Sequence, residues 1–207
     1  MGRSVTVTGH GRAAAAYDEA TLSLAASARA TNPSDATARA TYAMAQMRDA
    51  VLSAGADASA LTTTNVSLNP VHDPWPTVVA YEASLGLSVR LLDLSRVGSL
   101  LVAAIDAGGD GARVDGITFS HHDAAGLERA ARDSAFADAR TKAEQYAGLA
   151  GQALGEVRHV VEGGGDGHVH LAKRAMMASA PMPVPIDAGE GTVVADVSVT
   201  WALGPAV

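Results

Sequence analysis

The chain has 207 residues, of which 48% are hydrophobic and only 4% aromatic, with a net charge of −7 and a pI near 5.4. This acidic balance argues against a nucleic-acid partner, which needs a basic face to displace phosphate counterions. The sequence contains no cysteine, which excludes disulfides, thiolate catalysis and cysteine-ligated zinc.

The N-terminal sequence, MGRSVTVTGHGR, continues directly into a strand pattern and lacks the apolar stretch of a signal peptide. We therefore expect a cytoplasmic protein as the sequence is written, or an exported one if the N-terminus was trimmed. No stretch approaches the ~20 apolar residues that a membrane-crossing helix needs. The sequence thus predicts no membrane insertion.

Alternating side chains predict two N-terminal strands, Ser4–His10 and Tyr17–Ala30. The glycines on either side of His10 indicate a turn or bulge at that point. The simplest pairing of the two strands is an antiparallel hairpin across residues 12–16.

The middle of the chain alternates helix and strand patterns. Asn32 and Pro33 begin a helix that Gly55 ends, and Asp93 begins a second helix over residues 94–107. Strands are predicted at residues 61–71, 78–92 and 114–121. Leu87 and Val89 should lie in the centre of the sheet, on the face that the helices cover.

The stretch from Asp123 to Gly151 is the clearest helix, with a cap residue at its start and a glycine at its end. Its i,i+4 charge pairs each contribute roughly 0.2–0.5 kcal/mol. They are Glu128/Arg132, Arg129/Asp133, Asp138/Lys142 and Arg140/Glu144. An alanine-rich seam is predicted at Leu127, Ala131, Ala135, Ala139, Tyr146 and Ala150.

Two strands, at residues 154–161 and 192–203, flank a segment without periodicity at about 162–189, which we expect to be a mobile or partner-ordered excursion. Its prolines deny it the donors of a central ladder, while its apolar side chains suit a protein contact. A docking arm and a plain loop both fit this composition. The predicted subunit or partner contact consists of Met176, Met177, Met182, Val184 and Ile186.

The elements follow the order β-β-α-β-β-α-β-α-β-β. This order predicts an α+β fold, with a mixed, largely antiparallel sheet and helices packed on one face. At 207 residues the chain fits one large domain or two small intertwined ones, and we expect a single domain over 1–207.

Histidines provide the only candidates for a metal site. His168 and His170 would face the same side of an extended segment, but two ligands fall short of the four that a structural zinc requires. The adjacent His121 and His122 would point to opposite faces of a strand end, which favours surface hydrogen bonding. No nucleophile or phosphate-binding motif is present, so we expect no cofactor and no catalytic residue.

Several stretches, in this order and spacing, resemble the SIMPL family over nearly the whole chain. They are Thr8–Gly11, Tyr17–Leu22, Gly55–Pro70, Tyr81–Leu94, Gly116–Phe119, Ala131–Glu144, Leu154–Val157 and Val197–Trp201. Tyr17 departs from the pattern, because a proline is usual at that position.

The family includes bacterial envelope proteins linked to oxidative-stress defence, an immunogenic periplasmic protein that resembles a ring-forming, channel-like oligomer, and an animal protein that binds a receptor-associated kinase. It has no established catalytic residues. The resemblance therefore implies a non-enzymatic, self-associating scaffold or binding module, expected to be a homo-oligomer. The alternative is a metal-binding or enzymatic stress protein that uses the histidine-bearing loops. A third hypothesis is an adaptor that binds a protein partner through residues 162–189.

Overall fold

The computed structural model describes residues 2–163 and 186–206. The helices are α1 (Pro33–Ser53), α2 (Val97–Gly108) and α3 (Ala124–Leu149). The strands are β1 (Ser4–Ala16), β2 (Glu19–Ala30), β3 (Leu61–His72), β4 (Val78–Leu91), β5 (Ala112–Ser120), β6 (Gln152–Glu162) and β7 (Glu190–Ala206). The predicted element order and the α+β class are confirmed.

The strands form two antiparallel sheets, whereas the prediction was one mixed, largely antiparallel sheet. The chain divides into two compact units, each containing one sheet. The three-stranded unit draws its described residues from 1–16, 123–175 and 189–207, and the four-stranded unit from 17–122 and 176–188. The predicted hairpin of the first two strands is therefore wrong, because β1 pairs with β7 and β2 pairs with β4 and β5.

The four-stranded sheet has the order β3-β4-β2-β5, and α1 and α2 pack against one of its faces. Leu87 and Val89 are buried there, as predicted. Helix α1 begins where predicted, because the Asn32 side chain accepts a hydrogen bond from the Asp35 N–H at 2.8 Å. The largest fully buried side chains that α1 and α2 supply are Met47, Val51, Val97 and Leu100.

The three-stranded sheet has the order β1-β7-β6, and α3 packs against it. Asp123 caps α3 by accepting a hydrogen bond from the Gly126 N–H at 2.8 Å, and Gly151 follows the helix with φ +64°. Three of the four predicted charge pairs form, at 2.6–3.2 Å, and Arg129/Asp133 does not.

The Gly-His-Gly sequence lies inside β1 and is not the predicted turn or bulge. A Cβ atom at Gly9 would lie 2.0 Å from the Ala135 carbonyl oxygen, and one at Gly11 would lie 2.0 Å from that of Ala131. Glycine is required here because the α3 backbone lies directly on the strand.

The buried side of α3 is an unbroken row of alanines at i,i+4 spacing. The prediction is right at Ala131, Ala135 and Ala139, whereas Leu127 is only half-buried. It is wrong at Tyr146, which is 56% exposed, and at Ala150, which is also exposed. Residues spaced i,i+4 form a ridge that is inclined to the helix axis. The sheet contacts this one ridge along the whole helix, whereas the predicted seam followed the average period of about 3.6 residues and left the ridge in its second half. The buried row is Ala131, Ala135, Ala139, Ala143 and Ala147.

Within residues 2–163 and 186–206, no helix has both the length and the apolar character to cross a membrane.

Candidate functional site

His10 belongs to a polar cluster on the surface of the three-stranded unit. Its Nδ1 lies 2.6 Å from Asp196 Oδ1 on β7, and its backbone N–H donates to Asp138 Oδ2 at 2.8 Å. Lys142 Nζ donates to the same Asp138 oxygen at 2.6 Å and to the Thr8 carbonyl at 3.0 Å. The cluster links α3 to β1, and β1 to β7, with polar contacts.

The Lys142 hydrogen bond and, after it, the His10 N–H lower the pKa of Asp138 below its ordinary value. Both donors favour the ionised carboxylate. Asp138 is thus held as an anion between a lysine and a strand amide, which is an anchoring arrangement.

The two adjacent histidines after β5 have different surroundings. His122 is exposed, with Nδ1 3.4 Å from Glu19 Oε2, and its backbone N–H donates to Asp18 Oδ1 at 2.7 Å. His121 is partly buried against the Tyr17 ring, at 4.7 Å between ring centroids. Among the described residues its Nε2 has no hydrogen-bond partner. Surface hydrogen bonding was the right prediction for His122 and the wrong one for His121.

The predicted contact segment is described only at its end. Ile186 is partly buried and packs against the core of the four-stranded unit. Met176, Met177, Met182 and Val184 lie outside the described residues, so the subunit contact remains a prediction for all five. His168 and His170 also lie outside, and within residues 2–163 and 186–206 no three potential metal ligands come together.

Two features of the four-stranded unit were not predicted. One is an open cavity of about 480 Å³ that carries three arginines and two carboxylates. Its walls are Ser27, Ala28, Arg29, Arg39, Ala43, Glu82, Asp110, Gly111 and Arg113. Because these residues come from separate elements, no spacing in the sequence connects them.

The other feature is the sheet edge formed by β3. Its side chains are largely exposed, including Val66 at 71% and Leu68 at 45%. The β3–β4 turn adds Trp75, which is 77% exposed and lies 4.4 Å from the His72 ring between centroids. An apolar strip thus runs along an edge whose backbone groups have no partner strand on the outer side in the described part of the chain.

These features define an α+β protein built on two antiparallel sheets, and the chain belongs to the SIMPL family, described as proteins of unknown function (DUF541), which it matches over residues 5–201. It is similar to the 26 kDa periplasmic immunogenic proteins of Brucella melitensis and Brucella abortus. Each is 29% identical over 216 residues, a match that covers 96% of this chain and 84% of the relative.

Proposed function

We propose that this protein is a non-enzymatic, self-associating scaffold or binding module whose copies join along the edge strand β3. The observation that carries the proposal is the absence of charge on this edge. Unpaired strand edges recruit further strands, and natural proteins commonly block them with charged side chains. Strand β3, LTTTNVSLNPVH, contains no Asp, Glu, Lys or Arg.

The other edges in the described part of the chain do contain charges. Strand β1 contains Arg12, β5 contains Arg113 and Asp115, and β6 contains Glu156 and Arg158 among others. Pairing with a further strand at β3 is therefore the edge contact in which charged side chains interfere least.

A second copy of the chain suits this edge because the strand is compatible with itself. Two β3 strands paired antiparallel across a two-fold axis would join two four-stranded sheets into one of eight strands. The bulge near Thr64 and Pro70, which has no backbone N–H, limit the regular part to residues 65–69. The exposed Val66 and Leu68 would lie at the centre of that contact.

The test compares two lysine substitutions on exposed valines, measuring the molar mass in solution by light scattering after size exclusion. We expect Val66→Lys on β3 to lower the mass of the oligomer and Val160→Lys on β6 (49% exposed) to leave it unchanged. A wild-type monomer at micromolar concentration would remove the proposal, and unchanged mass in Val66→Lys would remove β3 as the contact.

Deleting residues 175–186 tests the predicted arm separately. A folded variant of lower mass would assign the arm a share of the contact, whereas full mass would exclude it.

Neither relative is named as an enzyme, which agrees with the proposed non-enzymatic role. Both are named as periplasmic proteins, and we therefore propose the periplasm as the compartment. This favours export over the cytoplasmic expectation. Osmotic-shock fractionation of the bacterium that produces the protein tests the periplasmic location, with recovery in the spheroplast lysate as the contrary result.

Stress defence and metal binding through His168 and His170 remain predictions. Metal analysis of the wild-type protein and of variants substituted at these histidines tests metal binding.

A further inference from the structure

We infer that the arginine-lined cavity of the four-stranded unit binds a small dicarboxylic amino acid. This inference does not depend on self-association. The cavity volume of about 480 Å³ falls within the roughly 300–1,000 Å³ of small-molecule sites. Arg29 comes from β2, Arg39 from α1 and Arg113 from the start of β5, so three separate elements direct cations to one place.

The arginines are available to a ligand. None of the ion pairs formed by the described residues involves Arg29, Arg39 or Arg113. Arg29 stands directly opposite Glu82 in the β2–β4 register, yet the two side chains do not form an ion pair. The chain as a whole has a net charge of −7, yet this cavity brings three guanidinium groups together with only two carboxylates.

Arg113 is held in place by the backbone. Its Nη1 donates to the carbonyl oxygens of Asp110 and Ala112, at 2.9 and 2.7 Å. Gly111 lies close to α1 and β2 beside it, since a Cβ there would be 3.1 Å from Ala43 Cβ and 3.3 Å from the Ser27 oxygen. One wall of the cavity is therefore preorganised by small residues and fixed hydrogen bonds.

The charge pattern specifies the ligand. Guanidinium groups bind carboxylates through paired N–H···O bonds. The carboxylates of Glu82 and Asp110 at the same cavity repel a ligand that carries only negative charge, and they accept hydrogen bonds from an ammonium group. Three cations and two anions give the site a charge of +1, which complements two carboxylates and one ammonium, a net charge of −1.

The experiment is titration calorimetry of the full chain with L-glutamate, with glutarate, which lacks the amino group, and with inorganic phosphate. We expect saturable binding of one glutamate per chain and weaker binding of the other two probes. Arg39→Gln should weaken glutamate binding roughly tenfold or more, because it removes a charge-assisted contact. Arg48→Gln is the matched control, an exposed arginine on the same helix outside the cavity.

Glu82→Gln separates an amino-acid site from a general anion site. It should bring glutamate affinity down to that of glutarate. The inference is overturned if glutamate shows no saturable heat, if Arg48→Gln weakens binding as much as Arg39→Gln, or if glutarate or phosphate binds as tightly as glutamate to the wild type.

Discussion

Replacing Gly9 by alanine tests the close approach of α3 to β1. The new Cβ would lie 2.0 Å from the Ala135 oxygen and 2.6 Å from the Ala139 nitrogen, both of them backbone atoms. A side-chain rotation cannot relieve such a contact, so the helix itself must move. For the new Cβ and the Ala135 oxygen to reach an ordinary separation of about 3.5 Å, α3 and β1 must move apart by roughly 1.5 Å. A gap of about 0.5–1 Å between packed surfaces already removes a quarter to a half of their dispersion energy.

The expected loss is therefore at the upper end of the range for overpacking, about 3 kcal/mol. For a chain of this size that corresponds to a fall in Tm of roughly 6–12 °C. The damage should be confined at first to the three-stranded unit, because every atom named in the clash belongs to it.

Trp201 reports directly on this unit. It is buried in the core under α3, at 3% exposure, whereas the other tryptophan, Trp75, is 77% exposed. A Trp75→Phe background leaves Trp201 as the single tryptophan, whose fluorescence is followed in urea with excitation selective for tryptophan over tyrosine. The measured quantity is the free energy of unfolding with and without Gly9→Ala.

Gly148→Ala is the matched control on α3. A Cβ there meets no atom within 4 Å, so the substitution should stabilise the helix by about 0.5–1 kcal/mol. A loss below about 1 kcal/mol in Gly9→Ala would refute the close-packing explanation. So would an equal loss in both variants, since it would show a general intolerance of alanine.

Leu87→Ala should cost about 2–5 kcal/mol in urea unfolding, because it leaves a cavity in the core beneath α1 and α2. Leu149→Ala, at a 78% exposed position, should change little, and a loss below 1 kcal/mol at Leu87 would mean that its strand face is misassigned. Because the pKa of Asp138 is lowered in the folded protein, its ionisation supports folding above the ordinary value of 3.8, and this support is lost as the pH falls through the folded pKa. Asp138→Asn should therefore flatten the decline of stability below about pH 4, measured by thermal melts, and a decline as steep as that of the wild type would contradict it.

Local chemistry made the elements predictable. Asn32 and Asp123 begin helices because their side chains accept backbone N–H groups three residues later, a relation visible in the sequence alone. The face of β4 that contains Leu87 and Val89 was likewise visible as an alternation. In each case the partner atoms are near in sequence or the burial follows a fixed period.

Long-range pairing was not predictable in the same way. Strand β1 pairs with β7 from the other end of the chain. The sequence near β1 therefore gives no indication that β1 pairs with β7 and not with β2. The glycines around His10 looked like a turn because glycine is permissive in turns, and only the position of α3 shows that the missing Cβ is what matters. The three arginines of the cavity were not predictable for the same reason, because they come from separate elements that only the folded chain brings together.

The central position of β7 has a consequence for the order in which the chain acquires structure during synthesis. Every strand of the four-stranded sheet has been synthesised once Ser120 has been translated, so this sheet needs no later part of the chain to complete its strand pairing. Strands β1 and β6 flank β7 and have no other partner among the described strands, so they wait for Glu190–Ala206. A ribosome that stops before Glu190 releases a chain with two unpaired strands, and quality-control proteases would encounter the three-stranded unit unfolded while the other sheet already has all its strands.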